Sequence, residues 1–177
     1  YSAGRAELTD VADTAVRRMA RELRLALPNS VRVSGNSIEL VPTKTGGRYL
    51  AAEDEGTGQY LNFEDKNDLN FRIVGPLQGG VQQLVAGDII VVNNLGVAPV
   101  DVYAASGLNR AVVQGVDEAN KLVTLASNPF ALQDPLMAHP QHRFQVSGQP
   151  VTYQCANGNL YRHSGYGFNA AQVAVPS

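Results

Sequence analysis

The stretch from Arg5 to Leu27, RAELTDVADTAVRRMARELRLAL, constrains this chain more than any other. Leu8, Ala12, Ala15, Val16, Met19, Leu23 and Ala26 recur at helical spacing, which puts them on one face of an amphipathic helix. Asp10, Asp13, Arg17, Arg21 and Arg24 fall on the opposite face, with the acids nearer the N-terminal end and the arginines nearer the C-terminal end, as the helix dipole favours. Asp13 and Arg17 have the i, i+4 spacing of an ion pair worth about 0.2–0.5 kcal/mol. Pro28 disfavours the α region for Leu27 and should end the helix there. The face Leu8, Ala12, Val16, Met19 and Leu23 is therefore the expected core face, and charging it should be far more costly than charging Arg17.

Beyond Ser30 the pattern changes to short alternating runs punctuated by turn residues. Val31–Gly35 and Ser37–Pro42 predict two strands around a Gly35-Asn36 turn. Lys44–Gly47 predicts another turn, leading into the strand Arg48–Glu53. Gln59–Phe63 and Leu69–Gly75 alternate as a half-buried antiparallel pair would. Asp88–Gly96 carries the most apolar run, Ile89 to Val92, and predicts a central strand. Val100–Ala104, Arg110–Asp117 and Lys121–Ala126 continue the pattern, the last two as a hairpin turning at Asp117–Asn120. Strands are also expected at His142–Gly148, Pro150–Cys155 and Leu160–Ser164, with Gly148 and Asn157-Gly158 as turns. Gln78–Gly87 and Ser127–Gln141 are expected loops. The predicted class is α+β: one N-terminal amphipathic helix laid across antiparallel sheet, residues 1–28 and 29–177 forming a single unit.

Function classes are narrowed mostly by exclusion. A formal charge of −2 over 177 residues gives no field that would draw in nucleic acid. With 44% hydrophobic residues a real core is expected, yet no apolar run approaches the roughly 18 residues that cross a bilayer. No signal peptide is recognisable, and an opening on Tyr1 without an initiator Met is expected of a fragment or processed form. G-x-S-x-G, G-x-G-x-x-G and phosphate-loop motifs are absent, so no catalytic residue is assigned and no enzyme is expected. His139 and His142 stand at i, i+3, but a structural zinc would need more N or S ligands than the chain's three His and one Cys readily supply. Glu64, Asp65 and Asp68 offer oxygens for calcium, without the turn glycine and terminal Glu of a calcium loop, so no cofactor is expected. Tyr153, Tyr161, Tyr166 and Phe168 could make a sugar-stacking surface, although aromatics on strands more often fill a core. Cys155 is the lone thiol, so no disulfide can form within the chain; alternation from Val151 predicts that it is buried with Tyr153.

The run from Arg5 to Val33 resembles the end of the first helix of a type IV pilin-like protein, and more narrowly the MshO family of minor pilins of the mannose-sensitive haemagglutinin (MSHA) pilus. The matching pieces are Arg5-Ala6-Glu7-Leu8, Ala12-Asp13-Thr14-Ala15, Arg17-Arg18-Met19-Ala20-Arg21 and Ala26 to Val33. Gly47-Arg48-Tyr49, Phe71 to Leu77, Val92 to Gly96 and Val151 to Gly167 are similar to the same family. The resemblance implies a pilin-like fold and a non-enzymatic role in pilus assembly or at the pilus tip, in adhesion and biofilm formation. It implies partners among the minor and major pilins and an anchor in the inner membrane through an apolar helix half that is not in this sequence. It places the head in the periplasm and then outside the cell. Family members tend to carry more than one cysteine, so a partner of Cys155 could lie elsewhere in a longer chain. Asp10, Asp13, Arg17 and Arg21 would then form a subunit-contact face, where charge complementarity sets specificity more than affinity. A minor pseudopilin of type II secretion and a secreted carbohydrate-binding β module are the alternatives.

Overall fold

Two segments that are distant in sequence form the spine of the molecule. In the computed structural model, which describes residues 2–54 and 59–173 and their side chains from residue 13 on, β2 (Ser37–Leu40) pairs antiparallel with β9 (Val151–Ala156). A few residues on, β3 (Thr43–Tyr49) pairs with β8 (Arg143–Ser147), so the two chain segments run as one long ribbon. The ribbon bends at Val41-Pro42 and Gly148–Pro150, where the prolines cannot donate to a ladder. The Gly148 amide bonds the Pro42 carbonyl at 3.0 Å across the bend.

On one side of the bend, β1 (Arg32–Ser34) and β10 (Asn159–His163) complete a four-stranded antiparallel sheet in the order β1-β2-β9-β10. On the other side, β4 (Asn70–Val74), β5 (Ile89–Val91), β6 (Arg110–Asp117) and β7 (Leu122–Leu125) close with β3 and β8 into a barrel, ordered β3-β4-β7-β6-β5-β8. Closure leaves the barrel without free edges. Alternation fills its interior: Phe71 and Ile73 point in while Arg72 and Val74 point out, and Ile90, Ala111, Val113, Val123, Leu125, Phe144 and Val146 join them. The apolar run of β5 is explained by burial on both faces. Ile90 lines the barrel, while Ile89 and Val91 pack outward against Leu27, Val41, Val102 and Tyr103.

The expected α+β class is overturned. The molecule is mostly antiparallel β-sheet, ten strands among the described residues, and it has no long helix laid across a sheet. The one α-helix among the described residues, α1 (Ser2–Arg24), has described side chains only from Asp13, and it meets the four-stranded sheet through its last turns. Met19, Leu23 and the following Ala26 pack on Leu40, Val151 and Tyr153. Val16, assigned to the core face, is 52% exposed. Leu8 and Ala12 of that face lie outside the described side chains.

The helix also stops at Arg24, short of Leu27. The competing interaction is with the bent ribbon: Leu27 N–H bonds the Val41 carbonyl at 2.8 Å, and Thr43 N–H bonds the Leu25 carbonyl at 3.0 Å. Leu27 is thereby drawn into the core at 1% exposure.

Several strand boundaries need correction. Lys44–Gly47 lies inside β3 and not in a turn. Gln59–Phe63 and Val100–Ala104 form no strand, although Leu61 N–H still bonds the Leu50 carbonyl at 2.9 Å. The hairpins at Gly35-Asn36 and Asn157-Gly158 form where expected, the latter with φ of 52° and 75°, the left-handed pair that a tight hairpin requires.

The unequal burial along α1 makes a clear expectation. Met19→Asp should cost about 1–3 kcal/mol, because Met19 sits against the sheet, whereas Arg17→Asp and Val16→Asp should stay within about 0.5 kcal/mol of the parent. Thermal melts of the variants check this.

Candidate functional site

The residues singled out from the sequence do not converge on one centre. Asp13, Arg17 and Arg21 are exposed on α1; the side chain of Asp10 lies outside the described residues. The helix is fastened from its other side. Glu22 accepts from Arg162 of β10 at 3.1 Å and from Arg18 one turn earlier at 3.1 Å. This clamp was invisible in the sequence, since 140 residues separate its two halves.

Cys155 is a second correction. It is exposed, although Tyr153 two residues earlier is 3% exposed. β9 is buried on both faces from Val151 to Gln154, so alternation does not govern its burial, and exposure begins at Cys155. Cys155 should therefore react stoichiometrically with a thiol reagent in the native protein, with no denaturant needed; sluggish labelling would contradict its placement.

The polar face of the four-stranded sheet holds a buried charge. Register places Arg32, Glu39, Thr152 and His163 in one row across β1, β2, β9 and β10. Glu39 is fully buried and pairs with Arg32, while the Tyr166 hydroxyl donates to its other oxygen at 2.7 Å. Tyr166 also meets the Thr152 hydroxyl at 2.6 Å. Arg32 bonds the carbonyls of Ala170 and Asn169 at 2.8 and 2.6 Å and stacks on the Tyr103 ring at 3.6 Å. The segment after β10 is thus strapped over the sheet, and Tyr166 serves as part of the strap, not as a sugar platform. Burial, with Glu39 beside them, pushes the Tyr166 and Tyr103 hydroxyls up in pKa, so both stay protonated as donors.

The acidic loop is held by its own backbone. Asp65 accepts from the Asn67 N–H at 2.9 Å, Asp68 accepts from the Asn70 N–H at 3.3 Å, and Asn62 caps Glu64 and Asp65. Asn128, just beyond the neighbouring strand β7, donates to the carbonyls of Asn62, Asp65 and Asp68. Among the described residues no three His, Cys, Asp or Glu side chains gather as metal ligands.

His139 and His142 separate chemically. His139 Nδ1 accepts from the Gln141 and Arg143 amides at 3.1 and 3.4 Å, and burial, then Arg143 and His142, lowers its pKa. His142 sits at φ 55°, with Nε2 3.0 Å from the Glu53 carboxylate. It lines a cavity of about 250 Å³ with Tyr49, Tyr60, Leu61, Phe63 and Leu136. The Tyr49 hydroxyl and His142 Nδ1 are both shut off from solvent, the hydroxyl lying toward the His139 backbone. Burial pushes the Tyr49 hydroxyl up to about 12, so it too remains a donor. A larger cleft of about 360 Å³ opens beside Gly46-Gly47 and Phe144, under the Pro76–Leu84 loop.

Among the described residues no helix is long and apolar enough to cross a membrane. Compared with protein-family models, with curated proteins and with solved structures, the chain matches none.

Proposed function

We propose that this chain is the head of a non-enzymatic minor pilin that takes part in assembling, initiating or tipping an adhesive type IV pilus of the MSHA type. The observation that supports this reading is the way α1 joins the β head. Only Met19 and Leu23 of the helix's described part rest on the sheet, and the Glu22–Arg162 clamp fixes the joint. Val16, Arg17, Arg21 and Asp13 are left open to a neighbour. Such a helix suits bundling with the helices of other subunits. The partners are the other minor pilins and the major pilin. The head would sit in the periplasm, anchored by an apolar helix half preceding these residues, and later in the extracellular fibre.

The test is co-assembly. Full-length protein purified from membranes should bring the other minor pilins with it. Arg17→Glu together with Arg21→Glu should cut that yield several-fold while leaving the melting temperature of the head unchanged, because both arginines are solvent-facing. Undiminished co-purification of the double variant would remove the contact face from the account.

A further inference from the structure

We propose that the barrel rim at Gly46 takes up an extended peptide, which pairs with β3 as an added strand and sets an apolar side chain into the barrel mouth. The case starts from where the ladder ends. β3 follows β8 from Thr43 to Arg48, but it pairs with β4 only at Arg48 and Tyr49. Backbone groups point to alternate sides along a strand. Tyr49 N–H bonds the His142 carbonyl on the β8 side, and Leu50 N–H bonds the Arg72 carbonyl of β4, both at 2.9 Å. The same alternation turns the N–H and C=O of Gly46 toward the β4 side. In register Gly46 would meet Pro76, which has no N–H, and Gly75 at φ 95° turns the chain before that pair forms. The first half of β3 therefore overhangs the closing pairs of the barrel.

Gly46 is exposed and lines the cleft of about 360 Å³. Among the described residues its N–H has no partner, and its carbonyl accepts only from the Thr45 hydroxyl, at 3.4 Å. With no side chain at Gly46, another backbone can approach closely. A donor and an acceptor side by side on an extended backbone are what strand addition uses.

The cleft beside the overhang opens into the barrel mouth. Ile73, Phe144 and Val146 in its wall belong to the barrel core, and Leu84 of the covering loop packs with them. The ionisable side chain among the described lining residues, Glu118, is held by the Gln83 amide, so a charged ligand finds no counter-ion. A wholly apolar molecule would fill the floor and leave the Gly46 backbone unused. A strand uses both, its amides pairing with Gly46 and alternate side chains turning into the mouth. The site lies on the barrel and does not depend on the helix or on any subunit contact.

Amide-shift NMR on the whole chain would test this with capped five-residue peptides that alternate Thr with Leu, Val or Phe. Their fully N-methylated analogues serve as controls, and 1-octanol serves as the rival probe. At least one peptide should bind and shift the amides of Thr45, Gly46 and Gly47. Its N-methylated analogue keeps the side chains but donates nothing, and should bind roughly tenfold more weakly or worse. Gly46→Pro, which deletes the N–H facing the cleft, should weaken binding to a similar degree. The methylated analogue poses the same question with the protein unaltered. Failure of every peptide to bind, shifts confined to residues away from the cleft, or equal binding of a peptide and its methylated analogue would each overturn the added strand. Binding of 1-octanol in the cleft in place of the peptides would overturn the ligand class.

Discussion

Glu39→Ala should cost the head about 3–5 kcal/mol and loosen the segment that follows β10. Removing one partner of a buried ion pair leaves the other charge poorly compensated. Here the loss reaches further than the pair. Arg32 would keep its bonds to the Asn169 and Ala170 carbonyls but lose the carboxylate that orients it, and Tyr166 would lose its carboxylate acceptor and keep only the Thr152 hydroxyl. Residues 166–170 are strapped down through these contacts and through Phe168, which packs on the Leu27–Tyr103 cluster beneath Arg110. A melt together with limited proteolysis of the tail measures both effects. Replacing Arg32 and Glu39 together with Met should cost less than the sum of the single changes, as expected when the penalty comes from a stranded charge.

Phe71→Ala should be of similar size, about 3–5 kcal/mol, for a purely apolar reason. Phe71 is fully buried in the barrel, with its ring centre 5.7 Å from that of Phe144 in an edge-on arrangement at 74°. Phe144 in turn lies over Gly47, where an added Cβ would come within 2.6 Å of its ring. Rings from β4 and β8 and a bare backbone in β3 therefore fill one layer together. A closed barrel has little freedom to collapse around the vacancy. Denaturant unfolding of Phe71→Ala, with an unchanged m-value, would separate this local cavity from a broken barrel.

These two sites show why parts of the molecule were legible in the sequence and parts were not. Strands whose burial alternates, such as Asn70–Val74 and the first half of Arg110–Asp117, stood out because one face meets the core and the other meets water. Gly46-Gly47 looked like a turn because glycines usually make turns. In the fold Gly47 pairs with Phe144 across the ladder, and the missing side chain makes room for the ring. Val100–Ala104 looked like a strand because it is apolar, yet Val102 and Tyr103 are buried against the outside of the barrel with no ladder at all.

The helix was evident from its period, but the period does not say what covers an apolar face: Met19 is covered and Val16 is not. Barrel closure pairs β3 with β8 about a hundred residues away, and the strap ties Tyr166 to Glu39 across 127 residues, which no local pattern records. The surroundings of Tyr49 and His142 belong to the same class. His142 drew notice only as a metal candidate beside His139, and its tie to Glu53 and its nearness to Tyr49 arise from the way β3 and β8 enter the barrel.

The proposed role as a pilus subunit is tested most directly by counting surface pili on cells from which the gene has been deleted, beside the parent and complemented strains. The account predicts a marked loss of pili and of surface attachment. The wild-type gene should restore both, and an allele carrying Arg17→Glu and Arg21→Glu should restore them only in part. Normal piliation and attachment in the deletion strain, with protein secretion impaired instead, would contradict the account and favour a pseudopilin of type II secretion.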